Sequence, residues 1–214
     1  MTQTEKSAWF KRTDYDRSDS VTRAQLLEAA EVVFADVGYA KASIARIADQ
    51  AGVSRATFYV YFTARQEVFQ VLTEELIAGA QRAQRDPGVD ISDPRGIIRA
   101  SIRTVLRLYT SKAALLTIVE QQSRLEEGVQ GLWETFWNSQ IHNSKRFIER
   151  LQREGRSDPD VDAAIASESM TATLLHYGLH NADASAERIE DLGAQLTPVY
   201  ERLIGLREHE GSVG

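Results

Sequence analysis

The chain has 214 residues, of which 43% are hydrophobic and 26% are charged, with no cysteine and a formal net charge of −6. This length suits one or two domains that each bury a core, and the lack of cysteine excludes a disulfide scaffold, a thiol nucleophile and a Cys-ligated zinc site. No apolar run approaches the roughly 20 residues that a membrane span requires, and the polar N-terminus lacks the apolar region of a signal peptide. We therefore expect a cytoplasmic protein with no membrane partner.

The negative charge is concentrated in one part of the chain. An acidic total argues against broad nucleic-acid binding. Residues 1–66, however, hold nine Lys and Arg against eight Asp and Glu, whereas residues 67–214 hold 16 against 23. The acidity therefore belongs to the second part, and the first part remains open to an anionic partner.

Helix-forming residues predominate, the chain contains only four prolines, and no segment has a convincing strand pattern. The sequence therefore predicts an all-α protein. We expect residues 1–19 to form an N-terminal arm, either a disordered tail or a basic arm that reaches a minor groove. After it, apolar residues from Leu26 to Val37 recur at helical spacing and predict a helix that Gly38 ends.

Two short helices joined by a tight turn are predicted between Ser43 and Phe62. Ser43 and Ser54 are placed to cap them, and Gly52 permits the positive φ of the turn. Phe58 and Phe62 are four residues apart and should point into the core. This order of signals predicts a helix-turn-helix.

The second helix of this motif has an outer face that is unusual for a solvated surface. It presents Arg55, Thr57, Tyr59 and Tyr61, with the small Ala56 among them. Guanidinium and hydroxyl groups are the groups that meet phosphates and base edges in a major groove, and such a helix enters with its N-terminal residues foremost. The pattern therefore predicts contact with DNA.

Residues 20–66 resemble the DNA-binding domain of the TetR family of bacterial transcriptional regulators. The resemblance rests on an ordered series of residues, namely Ala29-Ala30, Phe34, Gly38, Ile47-Ala48, Ala51-Gly52-Val53-Ser54, Thr57-Phe58-Tyr59, Tyr61-Phe62 and Arg65. The chain departs from the family at Ala64, where a capping residue is common, and at Gln66, where an acidic residue is common. Ala45, on the outer face of the first helix of the motif, cannot donate a side-chain hydrogen bond, so base reading should depend more on the second helix.

The resemblance implies which side chains contact a double-stranded DNA operator. The positions that usually contact phosphates are matched by Ser43, Ser54, Tyr59, Tyr61 and Arg65. The positions that approach bases are matched by Arg55, Ala56 and Thr57. Charge alone adds two further phosphate contacts, Lys41 and Arg46. The implied organisation is a DNA-binding domain over 20–66 and an effector-binding and dimerisation domain over 67–214.

The second part of the chain is predicted to be a series of helices. The predicted spans are 64–85, 94–109, 112–127, 129–153, 161–182 and 185–207, with breaks at 110–111, 127–128, 155–159 and 182–185. A capping box from Thr63 to Gln66 should open the first of them. Pro198 lies inside the last and should kink it.

Large apolar residues in these helices predict an apolar, aromatic pocket for a small hydrophobic effector, which the resemblance implies. The predicted lining residues are Tyr109, Leu116, Trp133, Phe136, Trp137, Met170, Leu174 and Tyr177. For each of them, ordinary core packing is the alternative.

In the family, the last two helices pack against a second copy of the chain as a homodimer. The positions expected at this interface are Gly178, Leu192, Leu196, Val199, Tyr200 and Leu203, with intramolecular core as the alternative. His176 and His180 have a metal-compatible spacing, although polar interface or pocket residues are the simpler interpretation, and we expect no metal and no cofactor.

Signatures of catalysis such as G-x-S-x-G, H-E-x-x-H and the phosphate-binding glycine loops are absent from the sequence. We therefore expect no enzyme but a ligand-responsive DNA-binding regulator, a repressor that a small hydrophobic effector releases from a palindromic operator. The alternative is a small-molecule binding protein whose helix-turn-helix no longer reads DNA. The outer face around Arg55 and Tyr59 discriminates between them, since a protein that no longer binds DNA would not need it.

Overall fold

The computed structural model describes residues 21–85, 90 and 92–207, and the structural statements below refer to these residues. They form the helices α1 Val21–Val37, α2 Ile44–Gln50, α3 Arg55–Tyr61, α4 Arg65–Arg85, α5 Pro94–Ser111, α6 Ala113–Ser123, α7 Glu127–Arg153, α8 Ala163–Leu179 and α9 Ala186–Leu203. The described residues contain no strand, which confirms the predicted all-α class. The predicted arm, residues 1–19, lies outside them.

The chain folds into two compact units that divide between Glu74 and Glu75, within α4. We call residues 21–74 the head unit and the described residues from Glu75 onward the second unit. The sequence-based domain boundary was placed after residue 66. The first turns of α4 pack with the head unit, where Phe69 lies edge-on to Phe34, with ring centroids 5.7 Å apart. Such a contact joins residues 35 positions apart, and local spacing does not reveal it.

Two glycines with positive φ shape the head unit. Gly38, with φ 75°, ends α1, and Gly52, with φ 70°, forms the turn between α2 and α3. The turn is closed by a hydrogen bond of 3.0 Å from the Val53 N–H to the Ala48 carbonyl. This left-handed conformation is costly for residues that carry a Cβ, so both predicted glycine turns are confirmed.

The second unit is a helical bundle in which α8 has a central position. α5 and α7 both pack along α8, α9 packs along α5, and α6 packs along α7. Its largest fully buried side chains include Tyr109, Tyr200 and Phe136. The end of α9 is tied to the loop before α8, because the Ser157 hydroxyl donates to the Ile204 carbonyl at 2.5 Å.

Several predicted helix limits are wrong. The break between helices that was predicted at Glu127 and Gly128 is wrong. α7 begins at Glu127, and the break lies before it, because α6 ends at Ser123. The predicted breaker Thr110-Ser111 lies within α5, and α9 ends at Leu203 rather than at 207.

In the capping box predicted at the start of α4, Glu67 makes the hydrogen bonds that were expected of Gln66. The Glu67 carboxylate accepts hydrogen bonds from the Thr63 N–H at 2.6 Å and from the Thr63 hydroxyl at 2.8 Å. Because α4 begins at Arg65, Glu67 is its third residue, the position from which a side chain reaches back to the preceding backbone. Gln66 does not take this part.

No helix in the described part of the chain is long and apolar enough to cross a membrane.

Candidate nucleic-acid interface and ligand cavity

The helix-turn-helix is held by a buried inner face and two serine caps. Ile47 and Phe58 are fully buried. The Ser43 side chain accepts a hydrogen bond from the Arg46 N–H at 3.3 Å, and the Ser54 side chain accepts one from the Thr57 N–H at 3.0 Å. Each cap satisfies an N–H that its short helix would otherwise leave unpaired. Both serines are therefore structural as well as candidate phosphate contacts.

The opposite face of this motif is open to solvent. The exposed candidates are Lys41, Ser43, Arg46, Ser54, Arg55, Ala56 and Tyr59, while Thr57, Tyr61 and Arg65 are half-buried. Tyr59 is 52% exposed, and its ring lies edge-on to Phe58 with centroids 5.7 Å apart. The cations Lys41, Arg46 and Arg55 form no ion pair with any other described residue. The structure therefore brings basic and hydroxyl side chains of α2 and α3 to the surface of one compact unit.

Val60 belongs to this face and was missed from the sequence. Its side chain is 49% exposed near the C-terminal end of α3, four residues after Ala56, so the two lie on the same side of the helix. The available signal was an aliphatic residue outside the spacing of the buried Phe58 and Phe62. Apolar side chains at such a surface can contact the methyl groups of thymine.

Arg65 makes hydrogen bonds within its own unit in addition to being a candidate phosphate contact. Its guanidinium donates to the backbone carbonyls of Tyr39 at 2.8 Å and Ala42 at 2.6 Å. It also lies 4.3 Å from the centroid of the Tyr39 ring, a cation–π contact. Arg65 therefore closes the turn between α1 and α2, which the sequence did not indicate.

The second unit contains a cavity of about 100 Å³. The residues that line it come from α5, α7 and α8 and are Ile97, Ile98, Ser101, Ile102, Val105, Tyr109, Asn143, Ser144, Phe147, Met170, Thr171 and Leu174. Three of the eight predicted lining residues, Tyr109, Met170 and Leu174, are among them. The cavity lies where α5 and α7 both pack along α8.

The other predicted lining residues lie outside this cavity. Trp133 stacks on Phe136 with ring centroids 5.1 Å apart, and Phe136 in turn lies 5.8 Å from Tyr109. Trp137 packs edge-on to Trp133. Leu116 is fully buried, and Tyr177 is half-buried beside His176. Trp133, Phe136 and Trp137 therefore form an aromatic cluster that contacts Tyr109 through Phe136 and does not line this cavity.

The predicted interface residues divide into two groups. Leu192, Leu196 and Tyr200 are buried within the second unit, whereas Val199 is 52% exposed and Leu203 39% exposed. Gly178 faces its own chain, since a Cβ at this position would overlap the Tyr109 side chain. The close approach that Gly178 permits is thus between α8 and α5.

His176 and His180 lie together on an exposed part of α8, with ring centroids 4.1 Å apart. The His180 Nδ1 lies 2.8 Å from the His176 carbonyl oxygen. No group of three or more potential metal ligands occurs among the described residues.

Comparison with known proteins shows which protein family the head unit matches. Residues 26–72 match the family described as "Bacterial regulatory proteins, tetR family". The chain is 36% identical over 84 residues to the HTH-type transcriptional activator FasR of Mycolicibacterium smegmatis, which covers 37% of this chain and 36% of the relative. It is 38% identical over 79 residues to the HTH-type transcriptional regulator TtgR of Pseudomonas putida, covering 36% and 38% of the two proteins.

Solved structures match nearly the whole chain at low identity. The ketosteroid transcriptional regulator KstR2 of Mycobacterium tuberculosis has a TM-score of 0.71 at 17% identity, with 87% of this chain and 95% of that chain covered. Salmonella enterica GusR has a TM-score of 0.70 at 21% identity, with 86% and 95% covered. The chain spans little more than a third of the length of FasR and TtgR. The family match therefore covers most of the head unit, and the solved structures share the fold of both units.

Proposed function

We propose, from the membership of residues 26–72 in the TetR family of bacterial regulatory proteins, that this chain is a homodimeric DNA-binding transcriptional regulator whose affinity for its operator depends on a small ligand. The observation that carries the proposal is the open face of α2 and α3, where Arg46, Arg55 and Tyr59 are exposed opposite a fully buried Phe58. We further propose that the chain acts as a repressor.

The chemistry of this face suits a major groove. Arg55, in the first turn of α3, can donate two hydrogen bonds to a guanine edge, and Ala56 with Val60 can contact thymine methyl groups. Tyr59, Lys41 and Arg46 are suited to phosphates, which fix register without reading sequence. The hydroxyls of Ser54 and Thr57 share a hydrogen bond of 2.9 Å, so only one of these two protons is available to DNA.

Two copies of the head are expected to read a near-palindromic operator, with half-site centres about one helical turn apart or a multiple of it. The dimer is proposed to form through α8 and α9. Ile165 is 62% exposed on α8, and Val199 and Leu203 are exposed on α9. Aliphatic side chains of this kind are available for a two-fold, self-complementary contact.

The ligand is proposed to act by population shift. An effector in the cavity of the second unit lowers operator affinity only to the extent that it binds the DNA-free conformation more tightly. α4 contributes residues to both units and is the element through which this coupling is proposed to pass.

Fluorescence anisotropy with the DNA upstream of the protein's own gene tests the proposal. Arg55→Ala should weaken binding about 5- to 100-fold and relax specificity at one base position, whereas Tyr59→Phe should weaken binding to all sequences alike. Gln25→Ala, an exposed change on α1, is the matched control and should leave affinity unchanged. The few cations on this face predict a small salt dependence.

The alternative is a small-molecule binding protein with a head that has lost DNA binding, and it draws on the observation that the described residues lining the cavity all belong to the second unit. If the parent protein binds no DNA, or if Arg55→Ala and Tyr59→Phe both leave binding unchanged, the assignment of α3 to DNA is wrong.

A further inference from the structure

The described residues that line the cavity in the second unit include no charged side chain. These twelve residues are aliphatic or aromatic apart from Ser101, Asn143, Ser144 and Thr171 and the hydroxyl of Tyr109. Burial raises the pKa of Tyr109 far above its usual range, so this phenol stays neutral. A carboxylate or ammonium group entering the cavity would lose hydration without gaining an opposite charge from the described lining residues, so charged ligands are disfavoured.

Two serines in this lining have uncommitted hydroxyl groups. Neighbouring helical hydroxyls donate back to their own helix: Thr104 donates to the Ala100 carbonyl at 2.8 Å, and Thr171 to the Ser167 carbonyl at 2.9 Å. Within the described part of the chain, the side chains of Ser101 and Ser144 make no such bond. Both residues are half-buried and both line the cavity. They can therefore donate to and accept from a ligand without giving up an existing bond.

A third polar group is poorly paired inside the unit. Tyr109 is 1% exposed, and its hydroxyl reaches Gln140 only at 3.4 Å. The Gln140 amide, also buried, donates to the Ser139 hydroxyl at 3.3 Å. Both distances are beyond the usual range for such bonds. The Tyr109 hydroxyl is thus weakly satisfied by Gln140, which does not itself line the cavity, whereas Ile98, Ile102 and Val105 form an aliphatic wall.

We propose that the ligand of this cavity is an uncharged, compact apolar molecule that carries one hydroxyl or carbonyl group, and that Ser101 and Ser144 bind that group. This inference rests on the proposed function, since it specifies the effector of the same site. The volume of about 100 Å³ compares with an apolar cavity of ~150 Å³ that holds benzene. A single six-membered ring is therefore about the size that this conformation takes.

A panel of four ring compounds of similar size tests the charge and polarity separately. Toluene is apolar, phenol is neutral with a hydroxyl, benzoate is anionic and benzylamine is cationic at pH 7. Affinity is measured on the full-length protein by isothermal titration calorimetry and by the shift in Tm. We expect phenol to bind best, toluene about tenfold more weakly because the hydroxyl contact is absent, and the two charged rings at least about 100-fold more weakly than phenol.

Ser144→Ala and Ser101→Ala test which residues hold the polar group. Each should lower phenol affinity about threefold to tenfold and leave toluene affinity unchanged. Ser169→Ala is the matched control, because Ser169 is an exposed serine on α8 that does not line the cavity. Circular dichroism of each variant shows that the fold is retained, and the unchanged toluene affinity shows that the cavity is intact.

The proposal is overturned if benzoate or benzylamine binds as tightly as phenol, if phenol and toluene bind equally, or if none of the four rings binds at 10 mM. It is also overturned if both serine variants bind phenol like the parent protein. Failure of the proposed function has a different result: a ring that binds the second unit but leaves operator affinity unchanged contradicts the effector role and leaves the ligand chemistry standing.

Discussion

Two helical glycines of the second unit have a physical task that the two glycine turns of the head unit do not have. In the head unit, Gly38 and Gly52 have positive φ, and a Cβ on either would meet no atom within 4 Å. In the second unit, Gly178 and Gly193 are helical, and a Cβ would overlap Tyr109 at the first and lie 3.0 Å from the Arg103 Cγ at the second. Both units therefore use glycine for backbone conformation, since Gly155 and Gly205 of the second unit also have positive φ, but among the described residues close helix packing at glycine is found in the second unit.

The two kinds of glycine site are specified over different distances along the chain. A left-handed turn is decided by one residue and its chain neighbours. A close helix crossing is decided by the residue on the other helix, and Tyr109 lies 69 positions before Gly178. The following predictions run from the largest expected effect to the smallest, and each would break or sharpen this contrast.

Gly178→Val should destabilise the second unit by about 3 kcal/mol, because the new side chain must displace Tyr109 from a packed core. Urea unfolding followed by circular dichroism measures the loss. Gly131→Val is the matched control: Gly131 is also helical, but no atom lies within 4 Å of its Cβ position, so its free energy of unfolding should stay within about 0.5 kcal/mol of the parent value. Equal stabilities of the two variants would contradict the packing role.

Arg65→Gln should destabilise the head unit by about 2 kcal/mol, since it removes charged hydrogen bonds to the Tyr39 and Ala42 carbonyls. Arg46→Gln, which changes an exposed arginine of α2, should cost less than about 0.5 kcal/mol. Thermal unfolding of both variants makes the comparison. If Arg65→Gln is as stable as Arg46→Gln, Arg65 is free for DNA as the sequence first indicated.

Gly52→Ala should cost about 1 kcal/mol, the strain of placing a Cβ in the left-handed region, with no steric clash added. Gly52→Asn should cost only a few tenths, because asparagine tolerates this conformation. The difference between the two variants in urea midpoint checks whether the head depends on backbone conformation at this turn. A cost above about 3 kcal/mol for alanine would show that packing matters there too.

The smallest expected effect is a loss of stability in alkali. Burial raises the pKa of Tyr109 and of Tyr200 above the ordinary value of about 10. A raised folded-state pKa stabilises the neutral form, so this stability is fully present below pH 10 and falls as pH rises above it. Tyr200→Phe should therefore reduce the alkaline loss by less than about 1 kcal/mol at pH 10.5. The same loss in parent and variant would show that Tyr200 ionises without unfolding.

The sequence predicted the head unit in detail. The caps Ser43 and Ser54, the turn at Gly52 and the buried Phe58 were all read from short spacings, and the structure has each of them. Their partners lie within four residues, where helical geometry fixes which groups meet. The sequence did not show the use of Glu67 as cap or the hydrogen bonds of Arg65 to the turn, and both involve side chains with more than one partner within reach.

In the second unit, only the tertiary structure showed which residues line the cavity and which helix lies against Gly178. The sequence located the large apolar residues of this unit but could not separate the three that line the cavity from the aromatic cluster around Trp133 and Phe136 that contacts Tyr109 through Phe136. It assigned Gly178 to an interface between chains, whereas α5 of the same chain lies against it. Helical periodicity shows that a face is buried and does not show which element covers it. That choice depends on how α5, α7 and α8 pack together, which is a property of the whole bundle.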